Sequence, residues 1–331
     1  MGQPLPMAEL WRGGLLESTH AGHAVICDEK GGIVESWGDP AAVIFPRSSC
    51  KMLQALPLVE SGAADAAGLT DRQLALSCAS HEGAALHVHA VRDWLSALGR
   101  TEADLRCGSH EPYDREERNR LILGHERPCQ LHNNCSGKHA GFVTLNGHLR
   151  GHADYVEIDH PVQRAIRTAF EEVTDETVAG WGIDGCSAPN FATSVHGLAR
   201  AMARFAAAGD GTARGRAMRR LSQAMATYPE MVAGEGRACT ELMRAMGGRV
   251  AIKTGAEGVF VAIIPEKRMG LALKIADGAS RASEAAVAAL LVRLGVLDPA
   301  HPAAVKRLNP VQKNWRGFET GEIRTAAGFP Q

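Results

Sequence analysis

The chain is short of several things, and each shortage excludes something. It has almost no net charge: 36 Lys and Arg stand against 37 Asp and Glu in 331 residues, a formal −1 at pH 7. This excludes a generally basic nucleic-acid footprint, and no nucleic-acid partner is expected. No window approaches 18 uninterrupted apolar residues, which excludes a bilayer-spanning helix. The opening, MGQPLPMAELWRGG, lacks the basic segment and apolar stretch of a secretory leader, and a soluble, cytoplasmic protein is expected. The P-loop lysine motif and G-x-S-x-G are both missing, so a P-loop nucleotide site and the α/β-hydrolase elbow have no support in the sequence. Lysine itself is scarce, at 8 residues against 28 arginines. Where Arg serves as the generic cation, a Lys kept inside an apolar or Gly-rich motif points to a task that a permanently protonated guanidinium cannot perform.

What is present is enough for a sizeable core. With 45% hydrophobic and 22% charged residues, the chain has material for one large domain or two intimate ones. The eight cysteines, at 27, 50, 78, 107, 129, 135, 186 and 239, read as free thiols or metal ligands rather than a disulfide framework. His23–Cys27 and Ile33–Trp37 flank Asp28-Glu29-Lys30-Gly31-Gly32 as a β-hairpin. Arg249–Lys253, Val259–Ile264 and Met269–Ile275 form an antiparallel meander, followed by a helix over Ser280–Leu294 with Ser280 as its N-cap. Between these ends the pattern is helical, over Ser49–Ser61, Thr70–Cys78, Leu86–Leu98, Pro161–Thr174, Ala192–Ala208 and Thr212–Tyr228. This predicts a mixed α/β (α+β) layer fold, its antiparallel sheet combining the N-terminal hairpin with the C-terminal meander and flanked by a helical region.

Three motifs carry possible chemistry. In Arg47-Ser48-Ser49-Cys50-Lys51, opening an apolar helix, Ser48 and Lys51 stand at i and i+3 and share a helix face, so that an amine can serve a hydroxyl nucleophile. The bland reading is an N-cap serine beside a surface lysine. Lys253-Thr254-Gly255 ends a predicted strand, where small residues allow close approach of a substrate; alone it reads as a turn. Together, S-x-x-K upstream and K-T-G downstream are the paired signatures of serine acyl-transfer enzymes related to penicillin-binding proteins and β-lactamases. The intervening S-D-N element is absent, and Ser80 in Ser77-Cys78-Ala79-Ser80-His81 is the nearest second hydroxyl. In Asn133-Asn134-Cys135-Ser136-Gly137-Lys138-His139, with Gly185-Cys186-Ser187 some fifty residues on, two thiolates and a third ligand suffice for zinc, Lys138 ligating only as a neutral amine. Both cysteines stand in Gly/Ser-rich stretches read as loops, where substrate access is expected; buried, inert cysteines are the competing reading. Cys107 with His110 and Cys129 with His132 also have zinc-like spacing. Asp184 and Glu235 lie in Gly-rich loops, where a carboxylate can hold a substrate amine or simply be solvated.

With these residues assembled, the chain resembles the rhizobial-type (class 3) L-asparaginases. The matching stretches are RSSCKMLQALPLVESGAAD at 47–65, LSCASHEG at 76–83, CGSHEP at 107–112, NNCSGKHAGF at 133–142, GIDGCSAPNFA at 182–192 and KTGAEGV at 253–259. They cover most of the chain in order. The resemblance implies a fold like serine β-lactamases and glutaminases, a homodimer, and hydrolysis of L-asparagine to aspartate and ammonia. It also implies two Ser–Lys pairs, Ser48–Lys51 and Ser80–Lys253, and a zinc on Cys135, Lys138 and Cys186. Residues 1–331 are then expected to form one asparaginase domain, with its sheet from about 20–40 and 249–276 and its helical part over about 48–245. Arg47 and Asp184 are expected first at the substrate's carboxylate and amine, with His139 and Glu235 as further contacts. The alternatives are a glutaminase, a penicillin-recognising hydrolase, or a catalytically silent zinc-stabilised binding protein.

Overall fold

The computed structural model describes residues 2–330, which divide into two compact units. The first comprises Met1–Ser49, Thr193–Ala207 and Glu241–Gln331; the second comprises Cys50–Ala192 and Ala208–Thr240.

The first unit is built on one antiparallel sheet. Its strands are β1 (Leu5–Arg12), β2 (Leu15–Cys27), β3 (Ile33–Trp37), β4 (Ala251–Gly255), β5 (Val259–Ile264), β6 (Met269–Ile275), β7 (Val311–Lys313) and β8 (Glu319–Thr325). The order across the sheet is β7-β8-β1-β2-β6-β5-β4, with β3 paired to β2. The expected join between hairpin and meander is the β2–β6 ladder, in register from Cys27 opposite Gly270 to Gly22 opposite Ile275. All six residues of β5 are buried, because the helices Val195–Ala206 and Ser280–Arg293 both pack on the sheet and leave no solvated face for an alternating pattern. Gly270 sets the closest approach. A Cβ there would stand 2.0 Å from the Ala203 nitrogen and 2.4 Å from the Ala199 oxygen, so glycine is what lets helix backbone rest on strand backbone. Two expectations change here. Ser280 is the first helical residue, not the cap; Ala279 holds that position, its N–H bound by Asp277 Oδ1 at 3.0 Å. Ala192–Ala208 opens with a short strand, Thr193–Ser194, and Ser194 then caps the helix by accepting the Gly197 N–H at 2.8 Å.

The second unit is helical. Its centre is the helix Ser136–Leu149, whose residues 136–145 are all buried, as an apolar-all-round helix must be. Around it pack Leu56–Glu60, Asp71–Ser77, Ala85–Ala97 and Pro161–Thr174. Thr70 caps Asp71–Ser77 through a reciprocal capping box with Gln73. The expected helix over Ser49–Ser61 is broken into Lys51–Gln54 and Leu56–Glu60, with Pro57 in the first turn of the second piece. The N-N-C-S-G-K-H stretch, read as a Gly/Ser-rich loop, instead starts the central helix. Gly137 fits there because a Cβ would meet the Leu76 carbonyl oxygen at 2.4 Å.

Candidate active site

The second unit brings six of the expected residues, and Cys50, into one buried cluster. Lys51 opens a helical turn whose four residues are all buried, and is itself only 1% exposed. Its Nζ donates to the Ala79 carbonyl oxygen and lies 3.0 Å from Ser80 Oγ and 3.1 Å from Cys135 Sγ. Ser80 sits on an extended stretch pinned by backbone bonds, Ser80 N–H to Val232 O at 2.9 Å and His81 N–H to Asn134 O at 3.1 Å. The next residue locks this stretch to the central helix. His81 Nδ1 accepts the Gly83 N–H at 3.0 Å, so Nε2–H donates to Ser136 Oγ at 2.9 Å, and Ser136 in turn donates to Leu131 O. Burial holds the His81 imidazole well below its usual range, hence neutral.

The sulfurs follow. Cys135 precedes the central helix, its N–H bound to Asn133 Oδ1 at 2.8 Å. Cys186 lies in the tight loop between Trp181–Ile183 and Pro189–Phe191, closed by Asp184 N–H to Ala188 O at 2.9 Å. Lys138 Nζ reaches Cys186 Sγ at 3.0 Å. Both thiols are buried, at 4% and 3% exposure, which overturns the expectation that they face solvent in loops. The hydrogen bond between them pushes Cys135 up and draws Cys186 well down, with Lys138 and His139 supporting the Cys186 thiolate. Burial works against a charged Lys138, but the two sulfurs outweigh it and raise its affinity for a proton. Burial also pushes His139 down to about 4, the Cys186 charge opposing, and pushes Cys50 up to about 12. His139 Nδ1 bonds Tyr155 Oη at 2.9 Å, and the ring also interacts with Cys186. Among the described residues no group of three His, Cys, Asp or Glu side chains is arranged to hold a metal. The donor set that converges is two sulfurs and the Lys138 amine, with His139 beside Cys186. Asp184, half-buried, acts electrostatically on Cys50 and Lys138.

The remaining expected residues are placed elsewhere. Arg47, Ser48 and Lys253 belong to the first unit. Lys253 is fully buried on β4 and donates to Thr254 O at 2.9 Å. The K-T-G end of β4 runs against the R-S-S turn: a Cβ on Gly255 would stand 2.6 Å from Pro46 O and 3.1 Å from Ser49 N. Arg47 adopts φ +54, a left-handed conformation unusual for a side-chain-bearing residue. Glu235 is exposed and lines, with Glu82, Asp114 and Glu117, an acidic cavity of about 540 Å³ in the second unit. The sequence reading missed Tyr155, the Asn133 amide and the Ala79 carbonyl. Tyr155 is one of only three tyrosines and is 1% exposed, so its rarity was the one available signal.

The model of the L-asparaginase II family matches residues 8–325. The chain belongs to the L-asparaginase II family. A comparison with curated proteins gives no match. Among solved structures, the chain is similar to a β-lactamase from Mycobacterium bovis at 14% identity, with 80% of this chain and 89% of that one covered and a TM-score of 0.42. It is also similar to Mglu in its Tris and glutamate form, at 13% identity, 83% and 59% coverage and a TM-score of 0.40. An octameric penicillin-binding protein homologue from Pyrococcus abyssi is similar at 12% identity, 83% and 73% coverage and a TM-score of 0.36.

Proposed function

We propose that the protein hydrolyses L-asparagine to L-aspartate and ammonia through a serine acyl-enzyme in which Lys51 is the general base. The observation that carries this reading is the buried amine–hydroxyl contact between Lys51 and Ser80 at 3.0 Å, in a member of the L-asparaginase II family. Ser48 attacks the side-chain amide carbon as Lys51 takes its proton. The tetrahedral intermediate collapses with that proton delivered to the leaving nitrogen, ammonia departs, and water then cleaves the ester by the same base. Ser80 shares the Lys51 amine and relays the proton, with Lys253 as its second amine. Arg47 and Asp184 take the substrate's carboxylate and amine, and His139 and Glu235 remain further candidates for substrate contact. The 3.0 Å contact favours one second reading, in which Ser80 is itself the nucleophile.

Cys135, Lys138 and Cys186 would hold a zinc ion, and the convergence of two buried sulfurs on the Lys138 amine supports a donor-rich cluster there. When bound, the ion supplies fixed positive charge that orients the substrate. To accept it, Cys135 gives up its thiol proton and Lys138 its ammonium proton. A homodimer and a cytoplasmic location belong to the same proposal; among the described residues no helix is long and apolar enough to cross a membrane.

The test is ammonia release from L-asparagine and L-glutamine, with β-lactam turnover beside it, in the wild type and in the Ser48→Ala and Ser80→Ala variants. Mass spectrometry of quenched reactions locates the acyl group. Asparagine turnover with the adduct on Ser48 is expected; an adduct on Ser80 selects the second reading. No turnover of any amide by folded protein would end both.

A further inference from the structure

A second nucleophile lies in the helical unit, outside the cluster just described. We propose that Cys129, activated through His132 and Glu117, is a peroxide-reactive thiol that is oxidised to sulfenic acid. Cys129 Sγ lies 3.4 Å from His132 Nδ1, and the opposite ring nitrogen, Nε2, lies 3.2 Å from Glu117 Oε1. The Cys129 N–H donates to Nδ1 at 3.0 Å, so in the neutral ring Nδ1 carries the lone pair and Nε2 the hydrogen given to the carboxylate. The thiol proton therefore has an acceptor already aligned. Once protonated, Nδ1 also has the Cys129 carbonyl oxygen at 3.3 Å. Glu117 is fixed in turn: its side chain is 5% exposed, and Arg120 grips it through Nε and Nη2, the latter at 2.9 Å.

Such a sulfur–imidazole–carboxylate chain stabilises a thiolate–imidazolium pair, the reactive form of a cysteine. The hydrogen bond to His132 holds the Cys129 thiol below its ordinary range and raises His132 above its own. The charged groups that face the pair are Glu117 and Arg120 on the helix Arg115–Leu123, and Glu102 on the turn Glu102–Asp104, whose carboxylate opposes the thiolate while it binds the Gln130 N–H at 2.7 Å. His81, held neutral by burial, is a further titratable neighbour of His132. Access separates this thiol from the rest: Cys129 is half-exposed, and the other seven cysteines are buried.

In the reaction the thiolate sulfur attacks one oxygen of the peroxide. The S–O bond forms as the O–O bond breaks, sulfur loses two electrons and the peroxide gains them. The departing hydroxide takes the Nδ1 proton of His132, leaving water and Cys129 sulfenic acid, which a small thiol reduces back.

The test treats the intact protein with substoichiometric hydrogen peroxide, traps sulfenic acid with dimedone and assigns the adducts by peptide mass spectrometry. Cys129 is expected to label at least tenfold faster than any other cysteine. His132→Gln should slow it at least tenfold, and Glu117→Gln severalfold. Iodoacetamide alkylation of the wild-type Cys129 provides a readout that needs no variant, should His132→Gln fail to fold. Its rate is expected to fall less steeply between pH 8 and 6.5 than that of an ordinary thiol, which loses about tenfold per unit. A Cys129 rate that tracks the ordinary thiol profile, or an unchanged rate in folded His132→Gln, overturns the proposal.

Discussion

Lys51 Nζ and Ser80 Oγ, 29 positions apart in sequence, lie 3.0 Å apart in a buried setting. The sequence pairs Lys51 with Ser48 and the resemblance pairs Ser80 with Lys253, whereas Lys51 is within hydrogen-bond reach of the Ser80 hydroxyl. This makes Lys51 the residue on which the proposed chemistry depends most. Lys51→Arg retains charge and approximate length but cannot give up a proton. Its expected kcat is lower by about 10²–10⁴-fold, the usual cost of a lost general base, with KM little changed. Steady-state ammonia release checks this, and near-normal turnover in a folded variant would remove Lys51 as the base.

Most of this arrangement was legible because it is local. S-x-x-K at a helix start, K-T-G at a strand end and the alternation around Asp28–Gly32 each declare themselves within a few residues. What stayed hidden depends on tertiary burial. The Ser136–Leu149 helix has almost no amphipathic pattern because it is enclosed on all sides, so its start read as a loop and its cysteine as accessible. The strands Leu5–Arg12 and Glu319–Thr325 pair across nearly the whole chain length, a partnership no window of sequence contains. The Cys129–His132 spacing was visible, but Glu117, which completes the relay from another helix, was not.

The sulfur cluster predicts metal-dependent behaviour. Cys186→Ala removes the thiolate that pairs with Lys138 at 3.0 Å, and the zinc affinity is expected to fall by at least ~100-fold, since even outer-shell losses cost 10–100-fold. Elemental analysis after dialysis against buffered zinc measures this, with circular dichroism to establish that the fold is intact. Zinc binding to the wild type should also release protons, measurable in weak buffer. Wild-type protein that takes up no zinc would refute the site, and loss of fold in both Cys135→Ala and Cys186→Ala would make it structural.

Glu117 predicts a pH dependence of stability. Arg120 and, after the opposing cost of burial, His132 hold its carboxyl below its usual value of 4.5. A carboxyl depressed in the folded state contributes stability that is present above the unfolded value and is lost as pH falls through the folded one. Glu117→Gln is therefore expected to lose ~1.5–3 kcal/mol at pH 7, the scale of hydrogen bonds to a charged group, and to approach the wild type in acid below about pH 4. The raised His132 acts in the other direction, its contribution present below 6.5 and lost as pH rises through its folded value. Urea midpoints at pH 7 and pH 3.5 decide the matter; an equal gap at both would show that the carboxylate's charge is not what stabilises this corner.

Gly255 tests whether the K-T-G strand positions the R-S-S turn. A Cβ at this residue meets Pro46 O at 2.6 Å and Ser49 N at 3.1 Å, and both are backbone atoms that no rotamer change can move aside. Gly255→Ala must displace either β4, which carries Lys253, or the turn that carries Ser48. The expected stability loss is ~1–3 kcal/mol, as for other overpacked sites. The expected loss of turnover is larger, about 10²-fold, because a displacement near 1 Å is enough to cost that much. Gly147→Ala is the matched control: it lies in the central helix with nothing within 4 Å of its added Cβ, so it should be neutral or slightly stabilising through better helix propensity. If Gly255→Ala lost stability yet turned over asparagine at the wild-type rate, the close packing of β4 on the turn would serve the fold alone, and Ser48 would lose its structural argument as the attacking hydroxyl.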